Sequence, residues 1–276
     1  MAVLLALLSS GLWGTSDFLG GLMSRRRAAF AVVGASQAAG LAVATIAAVA
    51  TGGFGSSREW VVPSVLAALG GSLALVSFYA AMARGTMGVV SPIAALGAVV
   101  PVVGGLLAGE EPTALASVGI VLGLLGAVAA GGPEVRGGTG GVVPILLAVV
   151  AGVAFGFSML FIARGAETDA VMTVWGMRLT GVVGCAVAAL ALRTSGGLRP
   201  GDTWILILAG SCGAAANLLF GLASEIGYLS VTSVLASLYP VVTILLAWIV
   251  VRERLMRVQY VGVVAALLGV ALVTIG

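Results

Sequence analysis

The chain has 276 residues, of which 61% are hydrophobic and only 8% charged, and its mean hydropathy is +1.21. Water-soluble domains are about 45–50% apolar and about 25% charged, and ten acidic plus thirteen basic side chains are too few to cover a globule of this size. Soluble enzymes and nucleic-acid binders are therefore poor candidates, and the composition is that of an integral membrane protein. The net charge of +3 and pI near 9.3 come from arginines alone, most of them between apolar runs, where they read as topogenic flanks. With no histidine, imidazole-ligated metal or haem and histidine-based proton transfer are excluded; no cofactor is expected.

A membrane-crossing helix needs about 20 mostly apolar residues. Punctuation by charge, proline and glycine clusters predicts ten such runs: Ala2–Leu22, Ala28–Ala50, Val61–Met82, Met87–Leu107, Thr113–Ala130, Val142–Ala163, Val171–Leu192, Thr203–Ser224, Leu229–Val250 and Met256–Ile275. The first has no basic flank before it and is read as a membrane helix rather than a cleaved signal. The runs are about twice the length of the strands of a membrane barrel and do not alternate, so the expected fold is an all-α membrane protein of ten helices. Cys185 and Cys212 fall inside runs, where a free cysteine behaves as a small hydrophobe.

Near the middle lies a polar, glycine-rich stretch, GGPEVRGGTGG from Gly131 to Gly141. Sliding the second half over the first at an offset of 142 aligns Phe78–Glu111 with Phe220–Glu253 at ten identities in 34 positions, among them Gly85 with Gly227, Ser91 with Ser233 and Glu111 with Glu253. The same offset places Trp13-Gly14-Thr15-Ser16 over Phe155-Gly156-Phe157-Ser158; one further residue aligns Gly119 with Gly262 and Gly126 with Gly269. The reading is two five-helix repeats, 1–131 and 142–276, joined by a linker at 132–141. Because five is odd, the second copy enters the membrane from the opposite face. Such inverted repeats recur in secondary transporters, whose site lies near the midplane between the halves.

The opening LLSSGLWGTSDFLGG, the Pro240-to-Glu253 segment and the Gln259…Gly262…Gly269 pattern resemble EamA-type members of the drug/metabolite transporter superfamily. That resemblance implies ten helices in two inverted halves and movement of small metabolites, amino acids or drugs. Members often carry an arginine early in the second and seventh helices; this chain has Arg178 in the seventh and Gln37 in the second.

Polar groups inside a bilayer are costly, at about 2.5–3.5 kcal/mol for Asp or Arg near a helix centre on insertion scales. Asp17 and Arg178 are the expected charged pair or relay, about 10 Å apart in depth at 1.5 Å rise per residue, with Asp17 as a proton or cation site and Arg178 meeting a carboxylate or balancing Asp17. The alternative for each is snorkelling to the nearer interface. Gln37 and Asn217 are expected to bind substrate or to bond a neighbouring helix. Trp13, Tyr79, Trp175 and Tyr239 are candidates to line a cavity for an apolar moiety, whereas Trp60 and Trp204 read as interfacial. Pro92, Pro101 and Pro240 are candidate gating kinks or static bends. Opposite Pro240 the first half has Ala98, and its Pro101 stands opposite Thr243, so its break is expected about one turn away.

The expected activity is secondary transport of small organic metabolites, driven by a proton or substrate gradient, with the lipid bilayer as partner and no enzymatic function. A lipid-linked-sugar flippase and an intramembrane enzyme or scaffold are the alternatives. A bacterial inner membrane is the expected location. Arginine counts, ten on one face against two on the other, place both termini outside; the family resemblance places them inside. Both orientations stay open, as does the oligomeric state.

Overall fold

The computed structural model describes residues 1–84, 87–131, 142–194, 196–251 and 257–275. The predicted linker at 132–141 and the Arg252-Glu253-Arg254 run lie outside the described residues. In chain order the helices are α1 (Ala2–Ser24), α2 (Ala29–Thr51), α3 (Val61–Arg84), α4 (Met87–Ala95), α5 (Val99–Leu107), α6 (Ala114–Gly131), α7 (Val142–Leu192), α8 (Thr203–Ile226), α9 (Leu229–Ala236), α10 (Tyr239–Leu246) and α11 (Arg257–Ile275). Among the described residues there is no strand. Six helical segments are long and apolar enough to cross a membrane, and shorter apolar helices cover Ile93–Leu107, Ala114–Gly126 and Tyr260–Gly269.

At 51 residues, α7 would measure about 76 Å if straight, more than twice the hydrocarbon layer. Asp169 prevents that. Its backbone is extended (φ −164°, ψ 103°), and its carboxylate accepts a hydrogen bond from the Met172 amide at 2.9 Å, which caps the start of a second arm. The arms, 142–168 and 170–192, fold back on each other at Gly165, where a Cβ would meet Thr173. Both arms flank α3: Ser158 bonds the Ala67 carbonyl, and Gly176 faces Ser64.

The interior is built from small residues. Ala67, Ala68, Ala74, Ala148, Ala151 and Ala216 are fully buried, while Leu69, Leu73, Ile46, Val187 and Leu190 are exposed. That inversion of the soluble pattern is expected where lipid solvates the outside and close approach, rather than hydrophobic exclusion, holds helices together. The contact between α6 and α11 is of this kind: a Cβ on Gly126 would run into the Ala266 backbone, and one on Gly269 would lie 2.6 Å from the Gly123 amide.

Contacts recur at the repeat offset. Ser16 donates to the Ala209 carbonyl and Ser158 to the Ala67 carbonyl, each at 2.9 Å; both members of the first pair differ from the corresponding members of the second by 142 in number. Gly14 abuts the Tyr239 carbonyl and Val242, and Gly156 abuts the Gly97 carbonyl and Val100. Trp13 packs on Phe220 with centroids 5.5 Å apart, and Phe155 on Phe78 at 5.8 Å. Each half supplies the same side of each contact once.

The broken helices correct one expectation. A 3₁₀ turn at Leu96–Ala98 separates α4 from α5, and Ser237 and Leu238 separate α9 from α10. At the offset of 142, Val99 at the start of α5 corresponds to Val241, two residues past the start of α10, so the breaks nearly coincide instead of lying a turn apart. The reason is that Pro101 and Pro240 both fall in the first turn of the resumed helix. There a missing N–H costs nothing, and two neighbouring proline positions serve the same break. Pro92 lies within α4; its side chain is outside the described residues.

Candidate functional site

A cavity of about 60 Å³ lies at mid-length of the long helices, enclosed by α1, α2, α3, both arms of α7, α8 and Tyr239 at the start of α10. Seven of the eight residues predicted for binding line it: Trp13, Asp17, Gln37, Tyr79, Arg178, Asn217 and Tyr239. Trp175 does not. It sits a turn closer to the Asp169 break, donates to Thr45 Oγ1 at 3.1 Å, and makes edge contacts with Phe54 and Trp60. It belongs with Trp60 at the helix ends, where amphipathic rings collect.

Asp17 and Arg178 do not pair. Among the described residues the ion pairs are Arg27–Asp202 and Arg164–Glu167, all away from the cavity. Arg178 instead donates from Nη1 to Gln37 Oε1 at 2.5 Å, although both charged residues are nearly buried, at 5% and 4% exposure. Gln37 fits because Gly181 leaves room for its amide, and Gly40 admits the Arg178 side chain, whose Cδ would lie 3.2 Å from a Cβ there. Asn217 accepts from the Trp13 indole at 2.7 Å and directs its amide nitrogen at Met177 sulfur, 3.4 Å away. Four fully buried atoms of lining residues have no hydrogen-bond partner in the protein: Ser36 Oγ, Gln37 Nε2, Arg178 Nε and Tyr239 Oη.

These helices, breaks and repeated contacts run the length of the chain, and comparison with known proteins bears directly on them. The EamA-like transporter family matches at residues 1–131 and again at 142–275. The chain belongs to that family. A solved crystal structure is similar over 99% of this chain and 96% of its own, with a TM-score of 0.79 and 21% identity, which speaks to the fold alone. No curated protein matches. As an EamA-like chain it is a multi-pass membrane protein of a transporter family within the drug/metabolite transporter superfamily.

The cavity of this EamA-like transporter carries the repeat too, in a way that composition hid. Six pairs at the offset of 142 line it with both members: Trp13 and Phe155, Ser16 and Ser158, Asp17 and Met159, Ser36 and Arg178, Gly71 and Gly213, Leu75 and Asn217. The scaffold is doubled, but the chemistry is not, since Asp17, Arg178 and Asn217 each face an apolar or smaller counterpart. Ser16, Ser36 and Ser158 were not singled out in the sequence. The signal for Ser16 and Ser158 was their alignment in WGTS and FGFS. Pro101 and Pro240 do not line the cavity; Pro240 adjoins it through Tyr239, the residue before it.

Proposed function

We propose that this protein is a secondary active transporter of small organic metabolites in which two inverted five-helix halves exchange conformations around the central cavity. In this reading the two arms of α7 cross separately, α4 with α5 and α9 with α10 are broken spans, and the described helices make ten crossings. The observation that carries the reading is the set of contacts made twice at a constant offset, with α1 against α8 repeated by the first arm of α7 against α3. Such a scaffold has two equivalent ways to pack, which is what alternating access requires. The cavity volume is consistent with it: about 60 Å³ holds a few waters, whereas small-molecule sites occupy about 300–1,000 Å³, so in this reading the cavity widens to take substrate. In this reading Trp13, Asp17, Gln37, Tyr79, Arg178, Asn217 and Tyr239 contact substrate, the prolines mark hinges, and Asp17 is the site for a coupled proton.

The test uses Ser16→Cys and Ser158→Cys in a background lacking Cys185 and Cys212, reconstituted in vesicles. Impermeant thiol reagents are expected to label each position from both sides of the membrane, with substrate altering the balance. Labelling of both from one side only refutes alternating access around this cavity.

A further inference from the structure

Resting on the transport reading, we infer that the substrate carries a carboxylate and that Arg178 is the group that holds it, with Gln37 positioning the guanidinium. Arg178 lines the cavity at 4% exposure, and a buried cation without a counter-anion is costly unless an anion arrives. Its protein partner is neutral: Nη1 donates to Gln37 Oε1 at 2.5 Å, while Nε has no partner. Toward α8 the guanidinium meets Gly213, where a Cβ would lie 3.4 Å from Nη2, so no side chain at that position covers it. Gln37 therefore fixes the direction of the fork without consuming its charge, which glutamate at this position would do.

The rest of the cavity narrows the class. Leu75, Phe155, Met159 and Ile162 form walls for an apolar body. Among the described residues Arg178 is the one cation lining the cavity, and Asp17 lies in the same space, so a monoanion fits and a phosphate dianion does not. A guanidinium presents two parallel N–H groups to a planar carboxylate. A simple carboxylic acid and an amino acid share this chemistry; the second adds an ammonium, for which Asp17 is the lining acceptor.

The experiment follows thermal unfolding of the purified full-length protein with four ligands that share one branched aliphatic body: 4-methylpentanoate, leucine, 4-methylpentanamide and 3-methylbutylamine. A ligand that binds only the folded state raises the melting temperature. The two carboxylates are expected to stabilise the protein and the amide and amine to leave it unchanged. Stabilisation by leucine alone assigns the ammonium contact as well; stabilisation by 4-methylpentanoate shows that the acid group suffices. Gln37→Glu, nearly isosteric, is expected to lower carboxylate affinity at least about tenfold by closing an ion pair with Arg178, while the ligand-free melting temperature does not fall. A purely structural Gln37 would move the melting temperature and not the preference. Stabilisation by amide or amine equal to that by the acids overturns the assignment, as does unchanged carboxylate binding in Gln37→Glu. If that variant does not fold, acid against amide on the unaltered protein decides. Uptake of the amide or amine into proteoliposomes with no binding of either carboxylate leaves transport standing and removes the carboxylate site; no binding and no uptake of any of the four removes both.

Discussion

The Trp13 indole donates to Asn217 at 2.7 Å, and the positions 142 residues from each, Phe155 and Leu75, line the same cavity as an apolar pair. The doubled scaffold thus holds a polar pair at one set of related positions and two apolar side chains at the other. The chain carries its own design for replacing the pair. Asn217→Leu alone strands the indole N–H, a loss of about 1–3 kcal/mol for an unsatisfied buried group, and Trp13→Phe alone strands the amide. The double variant Trp13→Phe with Asn217→Leu copies the Phe155 and Leu75 arrangement and is expected to recover most of the melting temperature that either single change loses. A double-mutant cycle by thermal unfolding measures this; additive losses contradict the pairing.

A second exchange of size lies beside the cavity. A Cβ on Gly20 would overlap the Tyr79 ring and hydroxyl, while at the related contact a Cβ on Gly221 would find Ile162 at 3.6 Å and Ala166 at 3.3 Å. The large residue has moved from α3 in the first half to the first arm of α7 in the second. Gly20→Ala is therefore expected to cost about 1–3 kcal/mol by overpacking, and Gly221→Ala under about 1 kcal/mol. Tyr79→Ile combined with Gly20→Ala relieves the clash. Melting temperatures of the three variants check the order; a loss in Gly20→Ala no larger than that in Gly221→Ala contradicts it.

Glu110, after α5, ties the halves together at one end of the bundle. Its carboxylate accepts from the amides of Leu229 and Ser230, the latter at 2.9 Å, and so satisfies two free N–H groups at the start of α9. An acid at the end of an apolar run would ordinarily face solvent; the turn at Gly109, with φ +94°, instead brings Glu110 back onto α9. Removing such a cap costs about 0.5–2 kcal/mol. Glu110→Ala is expected to lower the melting temperature accordingly and Glu110→Gln by less, whereas Glu111→Ala, an exposed neighbour, leaves it unchanged.

Much of this was legible in the residues because membrane constraints are strong. Long apolar runs fixed the helices, and the offset of 142 exposed the repeat and the equivalence of Ser16 with Ser158. What stayed hidden depends on rotation and depth. Trp175 and Arg178 are three residues apart on one arm, yet Trp175 packs on Phe54 and Trp60 at the helix end while Arg178 reaches the cavity. Charge alone also suggested Asp17 as the partner of Arg178. The neutral Gln37 took that place because Gly181 and Gly40 admit the two side chains between α2 and α7, a fit no spacing rule reports. The turn within α7, by contrast, was legible: the predicted runs Val142–Ala163 and Val171–Leu192 end on either side of Asp169, whose capping bond to Met172 starts the second arm.

Asp17 is the one carboxyl lining the cavity among the described residues, it is 5% exposed, and no arginine pairs with it. A carboxylate held away from water without a counter-charge is unfavourable, so its burial is tied to proton uptake or to a bound cation. Its counterpart in the other half, Met159, has no proton to give, so a coupled proton has one acidic site in this cavity rather than two. If Asp17 carries that proton, transport rates measured in proteoliposomes across a pH series depend on pH in the unaltered protein and lose that dependence in Asp17→Asn, while stabilisation by 4-methylpentanoate, which has no ammonium for Asp17 to meet, persists. Asp17→Met, which copies Met159, is expected to behave like Asp17→Asn in this assay and to be at least as stable, since it removes a buried charge and keeps a side chain that the related position already accommodates. An unchanged pH profile in Asp17→Asn would show that the proton, if one is carried, binds elsewhere.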